Sequence, residues 1–196
     1  MEINLVPARI DFTYVKEKGE NSIMKKGVLV TLCLLLSLAL AACNTDSTDE
    51  SEIKDIKEKV NEYSVESFGD EVTASITSHK LIVKDSGKET TFDLPNDEFF
   101  VSIAPFIKTT HPCEIHSLTG CQGELVKEDF DVFIQDEDGN VVVDETMTSL
   151  ENGFIDLWLP RNGNFQVKIT HDGKSVESNI STFEGDNTCI TTMQLT

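Results

Sequence analysis

Beyond residue 70, apolar and polar side chains alternate in short runs, and turn signals separate most of the runs. A period of two is the mark of a half-buried β-strand, whose successive side chains face opposite sides. KLIVK (80–84), the turn DSGK (85–88) and ETTFDL (89–94) predict a hairpin. Pro95 and Asn96 break the pattern, and FFVSIAPF (99–106), apolar almost throughout, reads as a buried strand. FDVFIQD then runs through EDGN (137–140) into VVVDETM. GFIDLWL leads through a turn at 160–164 to FQVKIT, HDGK (171–174) and SVESNISTF, and the last strand expected is CITTMQL. Short strands joined by Asp-Gly and Asn-Gly turns predict an antiparallel sandwich or barrel. Trp158 falls on a strand and reads as core, Met193 as packing, and His171, in a turn, as solvated.

Only one segment before these strands has a helical period. In SEIKDIKEKVNEYSV, Ile53, Ile56, Val60 and Tyr63 recur at spacings of three and four, with Ser51 as the expected cap and Lys54–Glu58 as a surface pair. The expected fold class is therefore α+β. A small N-terminal helix-plus-hairpin domain occupies 52–98, and a mainly antiparallel β-sandwich-like domain occupies 99–196.

The chain's destination is written further upstream. Lys25 and Lys26 precede an apolar run, Gly27 to Leu40, and then Ala41, Ala42 and Cys43. This is the layout of a secretory signal over 24–42. Its ending LAAC resembles the lipobox of bacterial lipoproteins, which would make Cys43 the lipidated first residue. Residues 1–23 show no period of either kind, and KGE (18–20) is codable as a ribosome-binding sequence. They read as a mis-assigned translated leader ahead of Met24. The polar stretch 43–51 reads as a tether.

Residues 1–42 carry five basic and four acidic side chains, so the −19 of the whole chain becomes about −20 from Cys43 onward. With no basic patch, nucleic acid is excluded as a partner, and the acidic residues read as a solvated surface. The G-x-S-x-G elbow of a hydrolase is absent, as are P-loop and dinucleotide fingerprints.

Chemistry concentrates in HPCEIHSLTGCQGEL (111–125). With Cys33 in the signal and Cys43 assigned to lipid, Cys113, Cys121 and Cys189 remain. Three thiols cannot all pair within one chain. A staple plus an inert thiol, a metal cage and a redox device all stay open. The order H-x-C-x2-H-x4-C places His111 and His116 among the thiols as auxiliary donors. Sulfur with imidazole suits copper or zinc rather than calcium or magnesium. Three sulfurs suit Cu(I), whereas Zn(II) would draw a fourth ligand from His111 or His116.

The blocks FFVSIAPF, THPCEIHSLTGCQGEL, NGFIDLWLPR and STFEGDNTCITTMQL resemble the CueP family of periplasmic copper-binding proteins. The resemblance covers nearly all of the chain beyond residue 50. It implies a role in copper resistance, with Cys113, Cys121 and Cys189 as the copper-binding set, a small N-terminal domain beside a β-rich one, and a homodimer as one arrangement. The lipobox departs from a soluble periplasmic form. It implies a copper-binding lipoprotein on the outer face of a Gram-positive cell membrane. The leading expectation is a binding protein, not an enzyme, that captures Cu(I) for sequestration or for transfer to a copper acceptor protein. A thiol-based Cu(II) reductase or thiol-disulfide exchange protein, reset by a thiol reductant, is the alternative. A structural β-sandwich with an incidental disulfide is the third.

Overall fold

The computed structural model describes residues 46–196. The expected leader, signal peptide and lipidated Cys43 lie outside the described residues. Helix α1 spans Asp46–Val65. It begins before the expected Ser51 cap. Ile56 and Val60, one turn apart, bury its inner face, while Lys54 and Glu58 pair at 3.6 Å in solvent.

Eleven strands follow: β1 (Val72–Ile76), β2 (Lys80–Asp85), β3 (Lys88–Asp93), β4 (Glu98–Ile103), β5 (His116–Ser117), β6 (Asp129–Asp136), β7 (Val141–Thr148), β8 (Ile155–Pro160), β9 (Asn164–His171), β10 (Lys174–Ser181) and β11 (Cys189–Ile190). They form three sheets, ordered β3-β2-β1-β5, β10-β9-β6-β7 and β11-β4-β8. All pairings between strands are antiparallel except β11 with β4. The architecture is a β-rich α+β fold with one helix among the described residues.

The turns follow from local chemistry. Ser86-Gly87 and Asp172-Gly173 have positive φ at both positions (48° and 80°, 49° and 75°). That is the two-residue hairpin geometry matching the right-handed twist of strands. His171 departs from expectation. Its Nδ1 lies 2.9 Å from the Asp129 carbonyl and its ring tilts over Phe130 at 4.8 Å, so little of it meets solvent. It belongs to the end of β9 rather than to the turn.

Strand β4 organises the interior, because both of its faces are covered. Phe99, Val101 and Ile103 point into a sandwich core with Phe130, Val132 and Ile134 of β6 and Val167 and Ile169 of β9. Phe100, on the opposite face, joins α1, β1 and β2 in a second core with Ile56, Val60, Ile76 and Leu81. Each of the two phenylalanines, fully buried, contributes about 1.5–3 kcal/mol of hydrophobic stabilisation. Trp158 packs edge-on to Phe100 at 5.3 Å, as a core residue would. Ser102 lies on the Phe100 face, where its hydroxyl donates to Asp156 at 2.5 Å. Ser64 of α1 donates to the other oxygen of the same carboxylate at 2.7 Å. Helix, β4 and β8 are thus joined by one shared acceptor.

The last segment forms less strand than expected. Only Cys189–Ile190 is extended, paired parallel to β4 with Cys189 opposite Ser102. The chain then accompanies 106–107 through Phe106 N–H to Met193 C=O (3.1 Å) and Leu195 N–H to Phe106 C=O (2.8 Å). Met193 is buried in the sandwich core, as expected of packing.

Candidate metal centre

Paired residues on neighbouring strands face the same side. Register with Ser102 therefore puts Cys189 on the Phe100–Ser102 face of β4, away from the sandwich core. Two arms of the loop after β4 come to meet it. The first carries His111 and Cys113. The second carries His116 on β5 and Cys121 at the close of a turn, where the Cys121 N–H donates to the Ser117 carbonyl at 2.9 Å.

The sulfurs of Cys113 and Cys121 are 3.5 Å apart, and His116 Nδ1 is 3.5 Å from Cys189 Sγ. Donor atoms of His111, Cys113 and Cys121 all lie within 4.8 Å of one another, as do those of His116, Cys121 and Cys189. Cys121 belongs to both sets. All three cysteines are free thiols, Cys189 buried and the other two partly exposed. The five donors picked out in the sequence, His111 to Cys189, are therefore brought together across 78 positions of chain.

The electrostatics are uneven. Hydrogen bonding from Cys189, and then from His116 and His111, holds the Cys121 thiol far below its ordinary value against the opposing effect of burial. Cys189 is pushed up, first by donating to Cys121 and then by burial. Burial also raises Cys113. The hydrogen bonds among the three sulfurs thus favour the thiolate at Cys121 over one at either neighbour. A thiolate is the form of cysteine that binds metals and attacks disulfides. Three soft sulfurs flanked by two imidazoles fit a soft or borderline ion.

Several residues that sequence reasoning passed over hold this geometry. Thr188 is buried, and its hydroxyl donates to the Ile76 carbonyl of β1 at 2.6 Å and accepts from the His116 N–H at 3.0 Å. The Glu114 carbonyl receives the N–H groups of Thr188 (3.0 Å) and Cys189 (3.2 Å). β5 extends the first sheet by pairing Ser117 with Ser75 and His116 with Ile76. The N-terminal strands therefore brace the thiol loop directly. Glu124 Oε2 accepts from three successive N–H groups, of Ile107, Lys108 and Thr109, at 2.6, 2.8 and 3.3 Å. It ties the approach to His111 to the segment leaving Cys121. Those amides hold the Glu124 carboxyl below the usual carboxylate range.

Phe154 completes the support. It is fully buried, with its ring 4.5 Å from His116 and 6.4 Å from His111, measured between centroids. Its placement depends on two glycines in backbone contact. A Cβ on Gly123 would come within 2.4 Å of the Gly153 carbonyl oxygen, and Gly153 has φ +78°. Nothing in the hydrophobic period marks these residues. A polar β-branched residue next to Cys189, and a glutamate inside the cysteine block, were the available signals.

Comparison with known proteins agrees with this geometry. No curated protein sequence matches significantly. The family described as "Periplasmic copper-binding protein CueP" matches residues 55–194. The crystal structure of S.CueP is similar at a TM-score of 0.69 and 34% identity, over 84% of this chain and 96% of that one. The five donors fall within the matched span, and the fold that gathers them is shared at that level. The chain therefore belongs to the CueP family of periplasmic copper-binding proteins.

Proposed function

We propose that this chain captures Cu(I) outside the cytoplasm through Cys113, Cys121 and Cys189, removing it from solution or passing it to an acceptor. The observation that supports this reading is the gathering of three unpaired sulfurs, with Cys113 and Cys121 3.5 Å apart and Cys189 reaching them from a separate strand. Cu(I) is soft and accepts low coordination, so three sulfurs suffice and an imidazole adds little. The LAAC signal supports a lipid anchor at Cys43, and thus a Gram-positive membrane setting. Release of the chain from membranes on Cys43→Ala tests that part.

The deciding experiment is an anaerobic Cu(I) titration of the reduced protein against a competing chelator, with thiols counted before and after. One tight Cu(I) per chain is expected. Each of Cys113→Ser, Cys121→Ser and Cys189→Ser weakens binding strongly, by a factor of ten for every ~1.4 kcal/mol lost. Equal affinity in fully oxidised protein, or larger losses from histidine than from cysteine substitutions, would refute the assignment.

A second reading is favoured by one specific contact. Cys113 and Cys121 are partly exposed and adjacent, so they can form a disulfide with little movement. Two thiols would give two electrons to two Cu(II) ions, yielding two Cu(I), one disulfide and two protons. Adding Cu(II) anaerobically to the same reduced protein tests it: thiols must disappear one for one with Cu(I) formed.

A further inference from the structure

We infer that the site loads in two stages, with His111, Cys113 and Cys121 as an outer set that first receives the ion and Cys189 as the inner ligand that later replaces His111. This rests on the Cu(I)-capture reading and adds an order to it.

Three observations carry the order. The two three-donor sets share Cys121, and within each set the donor atoms lie within 4.8 Å of one another. Their access differs: His111 and Cys113 are partly exposed, while His116 and Cys189 are 0% and 1% exposed. An ion arriving from solvent therefore meets the outer set first. Phe154, fully buried, contacts the rings of both histidines, so the two imidazoles sit against one wall rather than against each other.

The chemistry permits the exchange without a free-ion step. Cu(I) is stable with two or three ligands and prefers sulfur to nitrogen. In the outer set it holds two sulfurs and the His111 imidazole. Cys189 adds as its thiolate, the His111 nitrogen leaves, and the thiol proton passes to solvent or to a neighbouring base. Copper stays Cu(I) throughout, and Cys113 and Cys121 stay bound. Fixed ligands on the outside and a deeper sulfur inside make capture fast and release slow.

The test separates association from release. Fully reduced protein is mixed anaerobically with Cu(I) held by a coloured chelator, and transfer is followed by stopped flow in both directions. His111→Ala and the better size match His111→Gln should slow loading and release alike, by about tenfold for each ~1.4 kcal/mol of lost early contact, with little change in affinity, because His111 is not a ligand of the loaded state. Cys189→Ser should lose affinity mainly through faster release. X-ray absorption of Cu(I)-loaded Cys189→Ser should show an imidazole nitrogen beside two sulfurs, where the unsubstituted protein shows three sulfurs. Loading of His111→Ala at the unsubstituted rate, or a Cys189→Ser spectrum without imidazole, would overturn the two-stage order. Undiminished Cu(I) affinity in all three cysteine variants would instead overturn the capture reading beneath it.

Discussion

Thr188→Val removes one hydroxyl and almost nothing else. Valine has nearly the same shape and β-branching, so no cavity opens and the extended backbone is undisturbed. Two partners are lost at once: the Ile76 carbonyl that accepts at 2.6 Å and the His116 N–H that donates at 3.0 Å. Both belong to fully buried residues. An orphaned buried polar group costs about 1–3 kcal/mol. The pair therefore costs about 2–6 kcal/mol, the upper figure applying where neither group finds another partner. Domains of this size are stable by about 5–15 kcal/mol in all. At about 2–4 °C per kcal/mol, the midpoint of thermal unfolding should fall by roughly 4–24 °C. Trp158 is the only tryptophan and packs against Phe100 in the core beside β1, so its fluorescence in a urea titration reports the transition. The urea slope should be unchanged, since the folded surface is. Thr188→Ser keeps the hydroxyl and should recover most of the loss. Because the same hydroxyl fixes His116 and the strand carrying Cys189, the valine variant should also bind Cu(I) less tightly at temperatures where it is fully folded. A valine variant as stable as the parent, or a serine variant as damaged as valine, would show that the hydroxyl does not join β1 to the thiol loop.

Gly123→Ala should destabilise by about 1–3 kcal/mol through forced backbone displacement, because its Cβ would meet the Gly153 oxygen at 2.4 Å. Chemical denaturation measures this, and a neutral result would mean the contact yields freely. Glu124 gives a pH signature. Its carboxyl is held low by the amides of Lys108, Ile107 and Thr109, so its contribution is fully present above the unfolded value of ~4.3 and disappears as pH falls through the folded one. The stability gap between the parent and Glu124→Gln should be constant near neutrality and close on acidification. A gap that persists or widens at low pH would contradict the anchoring role.

What could be read from the sequence was mostly local. The Ser86-Gly87 and Asp172-Gly173 hairpins sit where Asp-Ser-Gly and Asp-Gly demanded positive φ, and β4 was visible as an apolar run. The five donors were visible as residue types, but spacing alone left staple, cage and redox device open. Only the family resemblance singled out the three cysteines. Elements that depend on distant partners were not legible. β5 is two residues long and has no period to detect; it exists because β1 offers Ser75 and Ile76 as an edge. β11 is equally short and becomes a strand by lying parallel to β4. His171 looked like a turn residue because the Phe130 ring that covers it lies far away in sequence. Thr188 carried no signal beyond being polar and β-branched, since its role is defined by residues 112 and 72 positions away.

The parallel pairing of β11 with β4 gives the site a history as well as a shape. Cys113 and Cys121 are eight residues apart, while Cys189 is separated from His116 by 73. Short loops close at lower entropic cost than long ones, so contacts within the loop precede those that bring in the late strand. Closure entropy therefore favours an order in which two thiols become neighbours before the third arrives. In an oxidising compartment the interval between the two events is when the pair is most open to being locked as a disulfide. The environment's redox balance at the moment of folding therefore bears on how many molecules finish folding with all three sulfurs free.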